Sequence, residues 1–342
     1  MLGKKFFVSD CEGPISINDN AFEISDYFIE DGGKFFEIIS KYDDVLVDIL
    51  KRREYIAGST LKFIVPFLKA YRVTDNDIIN FSNENVDLIP GADETLNFIN
   101  SIMPSFIVST SYNHYINALC NKTGFPYTNT YSTKLNIDYI DIDPDEIELI
   151  KDYKNLIVEN PSFEFLDNIF FKKISKLKIA ALMDIIIPIG GEGKKAAVED
   201  IMYKYGFNAE DLFYIGDSIT DVQPLKFAND NHGISVSFNG NEYAIKEAEI
   251  AVIADNTIIT SVLADIFNRY DRENVIKFII SYNEDPKKAF KVWNVNPSHL
   301  DILNTSPLPE VKIINPYNIK SLIDKSSNFR KKLRGKSIGG LG

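Results

Sequence analysis

The sequence predicts an α/β fold built on a parallel sheet, with a helical insertion directly after the first strand. Three observations predict it. Short apolar runs recur and stop at polar residues: Phe6-Phe7-Val8-Ser9, Phe106-Ile107-Val108-Ser109 and Leu212-Phe213-Tyr214-Ile215. Between them the apolar residues change to three- and four-residue spacing, the period of a helix. Strand-like and helical stretches then alternate through the second half of the chain, the mark of a parallel sheet.

The first run ends at Asp10-Cys11-Glu12-Gly13, two carboxylates one residue apart and a turn glycine. In an open parallel sheet the C-terminal ends of the strands face the ligand crevice. A carboxylate at that end can attack phosphorus or bind a metal. After Pro14, residues 21–39, 43–53 and 61–71 carry helical periodicity, and Thr74-Asp75-Asn76-Asp77 reads as a cap before a short helix over 78–81. Lys51-Arg52-Arg53, inside this insertion, reads as a solvated helix face; if the insertion covers a site for an anion, one of these cations would face it.

Pro90-Gly91-Ala92 is a turn, 93–102 a helix, and 106–111 a strand whose end carries Ser109 in the place that Asp10 holds on the first strand. A helix over 115–123 closes at Gly124. Residues 131–189 read as a second, mostly helical insertion outside the sheet. Gly190-Gly191-Glu192-Gly193-Lys194-Lys195 is a glycine-rich turn entering a helix that runs to about residue 205, without the spacing of a P-loop. A lysine there can reach a phosphate near the helix start. Gly216-Asp217-Ser218-Ile219-Thr220-Asp221 follows the third strand and sends two more carboxylates toward the same crevice. Close to Asp10 they form a cluster of like charges that is costly without a cation, and Mg²⁺ relieves such repulsion. Strands over 233–238 and 250–253 flank a helix over 242–248.

From about residue 272 come helical pieces over 275–282 and 286–293, then a proline- and asparagine-rich segment. A basic tail follows with Lys325, Arg330, Lys331, Lys332, Arg334 and Lys336. Such a tail reads as disordered, with binding to an acidic protein partner or an anionic surface as the second reading.

Composition narrows the class. The 342 residues are 45 % hydrophobic and 25 % charged, ordinary for a globular protein, and the net charge of −12 argues against a general nucleic-acid binder. Two cysteines, Cys11 and Cys120, exclude a disulfide framework and a thiolate-built zinc site. His114, His232 and His299 are scattered and read as structural. No signal peptide is read at the start and no apolar run approaches the length of a membrane span; the longest candidate, 179–189, is broken by Asp184 and Pro188. The expectation is a soluble, cytoplasmic protein.

Four signals thus occur in order: Asp-x-Glu-Gly, a strand-end Ser, a helix-start Lys, and Gly-Asp-Ser-x-x-Asp. This order resembles the haloacid dehalogenase superfamily, largely Mg²⁺-dependent phosphatases. Val108-Ser109-Thr110-Ser111-Tyr112 and Gly216-Asp217-Ser218-Ile219-Thr220-Asp221 look most like its phosphoserine-phosphatase branch. The resemblance covers residues 4–20, 88–130 and 190–256, and the insertion after the first motif resembles the family's small helical cap. The nearest likeness is to an archaeal group sharing the Asp-x-Glu-Gly-Pro opening, some members of which are labelled as subunits associated with an energy-converting hydrogenase. The implied organisation is a core over 1–20, 88–130 and 190–270, a cap over 21–87, a second insertion over 131–189 and an extension over 271–342.

The resemblance also implies roles. Asp10 would be the nucleophile, forming an aspartyl-phosphate. Asp10, the backbone carbonyl of Glu12, Asp217 and Asp221 would hold Mg²⁺, while Ser109 and Lys194 (preferred over Lys195) would hold the phosphoryl oxygens. Glu12 departs from the family's Asp at the position of the general acid and base. Its extra methylene displaces the carboxylate by roughly 1.5 Å, a shift that can cost about a hundredfold in rate. The expected activity is hydrolysis of a small phosphomonoester. The alternative is a catalytically weak fold kept as a binding or regulatory subunit of a larger assembly.

Overall fold

The computed structural model describes residues 4–49, 57–305, 307–335 and 337–340. Lys51-Arg52-Arg53 and Lys336 lie outside them. The framework is a seven-stranded sheet: β1 (Phe6–Ser9), β2 (Ser105–Tyr112), β3 (Thr130–Thr133), β4 (Leu212–Gly216), β5 (Ile234–Phe238), β6 (Ile250–Ile253) and β7 (Glu310–Ile313), in the spatial order β3-β2-β1-β4-β5-β6-β7. The first six are parallel and β7 pairs antiparallel with β6. This is the mixed α/β, Rossmann-like sheet that the sequence predicts.

Both faces of the sheet are covered, which explains the unbroken apolar runs. Phe6 and Val8 point to one face with Val108 and Tyr214, where they meet Val198 and Ile201 of helix Glu192–Tyr205. Phe7 points to the other with Phe213, Ile215 and Val236, against Val262 and Leu263 of helix Ile258–Arg269. β1 lies between β2 and β4, so the chain winds outward in one direction from β1 to β3 and in the other from β4 to β6. The switch between β1 and β4 opens a crevice beyond their C-terminal ends, where Asp10 and Asp217 sit.

Helices Asn20–Phe28, Gly32–Asp44, Thr60–Ala70 and Asp75–Glu84 follow β1. The expected cap at Thr74 is present as a reciprocal capping box with Asp77. One apolar cluster joins this group to helices Pro144–Glu159, Phe163–Asn168 and Ala180–Ile185; the Phe63 and Phe170 rings are 4.6 Å apart. The two insertions are therefore halves of one helical body. It reaches the sheet where Tyr112 donates its hydroxyl to the Leu61 carbonyl at 2.5 Å.

Two expectations need correction. Residues 131–189 were expected to lie outside the sheet, yet Tyr131, Ser132 and Thr133 belong to the edge strand β3. Its sequence, Thr-Tyr-Ser-Thr, is polar, with Thr130 and Tyr131 half-buried at the sheet edge, so it lacks the apolar signature of the central strands. The basic tail was expected to be disordered, yet Ile319–Arg334 is a helix docked on the sheet, with Leu322, Ser326, Arg330 and Arg334 buried at four-residue spacing.

Candidate active site

Asp10 follows β1 directly, its backbone N–H bonded to the Ile215 carbonyl of β4 at 2.9 Å. Its carboxylate is buried and held at both oxygens: Oδ1 accepts from the Cys11 N–H at 2.6 Å, and Oδ2 lies 2.7 Å from Lys194 Nζ. Lys194, fully buried, also reaches Asp221 Oδ1 at 2.8 Å. It enters from the first turn of helix Glu192–Tyr205. Lys195 points away, near Glu192 and Glu199 at 3.9 and 3.7 Å.

Asp221 is saturated. Oδ1 accepts from Lys194 and from the Tyr214 hydroxyl at 2.7 Å; Oδ2 accepts from the backbone N–H groups of Asp217 and Ser218 and from the Ser218 hydroxyl. Five donors leave this carboxylate no lone pair for an ion, although its oxygens lie within 4.8 Å of those of Asp10 and Asp217. The spacing from Ser218 to Asp221 is that of a capping box, which closes the turn after β4. Gly216 must be glycine for this packing, since a Cβ there would stand 2.3 Å from the Asp221 carboxyl carbon.

Asp217 is buried against Gly13, whose φ of +110° and whose missing Cβ, which would sit 2.1 Å from Asp217 Oδ2, both require glycine. The same Oδ2 is paired with Arg330 and, at 3.2 Å, with Arg334. Glu12 also borders the site, with Oε1 accepting from the Asn20 N–H at 2.8 Å, at the start of helix Asn20–Phe28. Ser109, within β2 where its register against β3 shifts before Tyr112, exchanges hydrogen bonds with Ser111 at 3.0 and 3.2 Å.

These groups surround a cavity of about 110 Å³ beneath the helical body, bordered by Asp10, Glu12, Ser109, Ser111, Asp217 and Arg330. That is room for several waters or a phosphate with a small substituent. None of the three histidines lines it; His114 pairs with Asp75 at 3.0 Å and His299 stands edge-on to Phe98.

Burial and the charge of Asp221 push Asp10 up to about 7, against the pull of Lys194. Burial and Asp19 push Glu12 up to about 8, against its bond from Asn20 and the charge of Arg334. Lys194 stays above its ordinary value: burial works to lower it, and Asp10 and Asp221 outweigh that. Asp10, Asp19, Asp217 and Asp221 face three cations, Lys194, Arg330 and Arg334, while Glu12, pushed up to about 8, is the carboxyl that holds a proton at neutral pH. Among the described residues each Asp10 oxygen accepts from one donor and Asp217 Oδ1 from none, so these two carboxylates fit a hard cation such as Mg²⁺.

The whole chain has a structural counterpart. A structure of gene product AF1437 from Archaeoglobus fulgidus matches with a TM-score of 0.81 at 24% identity, covering 99% of this chain and 99% of that one. At that identity the likeness establishes the fold. Two phosphoserine phosphatase structures, a phospho-aspartyl intermediate analogue and a substrate-bound complex, match at 16% and 14% identity with TM-scores of 0.47 and 0.46. They cover 73% and 77% of this chain and 93% and 98% of theirs. Those superpositions are too loose to carry chemistry across. No protein-family model and no curated protein matches the chain. Among the described residues no helix is long and apolar enough to cross a membrane.

The sequence reading brought Asp10, Glu12, Ser109, Lys194, Asp217 and Asp221 together, and the structure gathers all six around one cavity or on its supporting groups. It missed Tyr214, Arg330 and Arg334. The arginines had a signal: they stand four residues apart, in line with Leu322 and Ser326.

Proposed function

We propose that the chain is a Mg²⁺-dependent hydrolase of a small phosphomonoester, acting through an aspartyl-phosphate. The observation that carries this reading is Asp10. It is a buried carboxylate at the switch point of a parallel sheet, tied to Lys194, beside a second carboxylate and a cavity lined by Ser109. A buried carboxylate beside a lysine has ordinary structural uses; that Asp10 also borders a polar cavity with Asp217 supports reading it as a nucleophile.

In the first half-reaction an Asp10 oxygen attacks phosphorus and the bond from phosphorus to the substrate oxygen breaks. Glu12, on the cavity wall, gives its proton to the leaving oxygen. In the second, Glu12 takes a proton from water, the water oxygen bonds to phosphorus, and the Asp10–phosphorus bond breaks, returning the carboxylate. Lys194 and Ser109 hold the phosphoryl oxygens as charge spreads over them. Asp221, with Tyr214, holds Lys194 and the Asp217 turn in place; it is a positioning residue in this reading, not a metal ligand. Mg²⁺ held by Asp10, Asp217 and the Glu12 carbonyl would supply charge neutralisation during transfer.

The test is phosphate release from a panel of small phosphomonoesters, with and without Mg²⁺, by wild type and Asp10→Asn. Metal-dependent release that Asp10→Asn abolishes is expected. A second reading, a regulatory or binding subunit of a larger assembly, is favoured by the arginine pair on Asp217 and by the small cavity. Folded protein that releases no phosphate across the panel would decide for it.

A further inference from the structure

Helix Ile319–Arg334 crosses from the far edge of the sheet to the candidate site. Leu322 anchors it in an apolar cluster with Ile245, Ala251 and Ile253, and the Ser326 hydroxyl bonds to the Gly240 carbonyl at 2.7 Å. One turn further on, Arg330 enters the wall of the cavity, and Arg334 follows one turn after that.

The two arginines are not equivalent. Arg334 is used at all three nitrogens: Nε donates to the Ile17 carbonyl at 2.8 Å, Nη2 to the Asn18 carbonyl, and Nη1 to Asp217. It clamps the helix to the loop that follows Asp10. Arg330 is only partly used. Nη1 meets Asp217 Oδ2, while Nε, on a side chain 4 % exposed, has no partner among the described residues. A buried guanidinium N–H without an acceptor is costly, and its natural acceptor is an oxygen of an anion, which the planar fork of arginine binds in register. Arg330 borders the same cavity as Asp10, Ser109 and Ser111.

We propose that Arg330 is an anion-binding residue of this site, supplied by the C-terminal helix, and that its ligand is the phosphoryl group of the substrate or free phosphate. Naming the anion rests on the hydrolase reading; the binding of an anion does not. Arg334 is the positioning residue that keeps Arg330 at the cavity.

The experiment is calorimetric titration of the full chain with inorganic phosphate, with and without Mg²⁺, and with Mg²⁺ alone, for wild type, Arg330→Gln and Arg330→Lys. Arg330→Gln is expected to weaken phosphate binding tenfold or more and Arg330→Lys to weaken it less, while Mg²⁺ affinity stays equal or tightens as a neighbouring positive charge is removed. Unchanged phosphate affinity in Arg330→Gln with tighter Mg²⁺ binding would overturn the proposal and make Arg330 only the counter-charge of Asp217. If Arg330→Gln does not fold, Arg330→Lys decides by the same comparison, since it keeps the charge and loses the fork. Wild type that binds no phosphate overturns the proposal outright. Wild type that binds phosphate through Arg330 but hydrolyses nothing keeps it and sinks only the hydrolase reading.

Discussion

Replacing Lys194 by methionine keeps the length of the side chain and removes one charge from the middle of the site. Lys194 Nζ lies 2.7 Å from Asp10 and 2.8 Å from Asp221, and all three side chains are buried. Without it, the carboxylates of Asp10, Asp217 and Asp221 remain with oxygens inside 4.8 Å of one another. At an effective dielectric constant of about 20, each such pair repels by roughly 3 kcal/mol. Breaking a buried pair by removing one partner costs about 3–5 kcal/mol, the same scale. Lys194→Met should therefore lose on that order of stability at pH 8.5.

The sign with pH follows from Asp10. Its carboxyl is already pushed up to about 7 by burial and Asp221, and loss of the lysine pushes it further. The folded variant then holds a proton that the unfolded chain gives up near pH 4, so its stability rises as the pH falls toward that range. At pH 5.5 Asp10 carries its proton in both proteins, so its share of the loss cancels and the remaining loss is smaller than at pH 8.5. Urea unfolding of wild type and variant at the two pH values measures both numbers. A loss below about 1 kcal/mol at pH 8.5, or one that is the same at both pH values, would refute the electrostatic account of the cluster.

Two further outcomes follow from single residues. Gly13→Ala puts a Cβ 2.1 Å from Asp217 Oδ2 at a φ of +110°, so it should cost about 1–3 kcal/mol in backbone strain alone and weaken Mg²⁺ binding by displacing Asp217; unfolding and calorimetry read the two effects separately. Asp43, buried at the helical side of the cavity and bonded by the Thr60 N–H and hydroxyl, is pushed by burial from 3.8 up to about 7. Its folded form binds a proton more tightly than the unfolded chain does. The penalty is therefore absent below pH 4, grows between pH 4 and 7 and is full above that, on the order of 4 kcal/mol. Asp43→Asn should flatten that slope in a pH series of unfolding curves; an unaltered slope would show that Asp43 does not cause it.

What could be read from the sequence divides along physical lines. Central strands are buried on both faces, so Phe6-Phe7-Val8 and Leu212-Phe213-Tyr214-Ile215 announce themselves, and the residue that ends each of them is placed by the sheet. Asp10 and Asp217 were legible for that reason, while Ser109 lies inside β2, three residues before its end. Edge strands carry no such signal: Thr130–Thr133 and Glu310–Ile313 are half-exposed and partly polar, and neither was read as a strand. The joining of residues 21–78 to 135–186 in one apolar cluster depends on contacts between distant segments, which no local period encodes. Asp221 was legible as a site residue but not in its manner of use, because a carboxylate that binds an ion and one that receives five hydrogen-bond donors have the same letter.

The arginines show the same limit and a way past it. A cationic stretch with Lys331 and Lys332 in it reads as a solvated tail, and charge alone cannot separate the buried arginines from the exposed lysines beside them. Periodicity can. Leu322, Ser326, Arg330 and Arg334 stand at one four-residue spacing, and a helix that buries the first two must carry the next two toward the same side. The stripe begins in an apolar cluster and ends on Asp217, so the packing of Leu322 and Ser326 sets where two guanidinium groups stand relative to the carboxylates of the site. The docking of this helix and the charge balance of the site are thus coupled through Asp217. Without the helix, Asp217 would lose both of its cations. Asp10, Asp19, Asp217 and Asp221 would then face Lys194 alone, and a site so charged would bind a divalent cation more tightly and an anion less tightly.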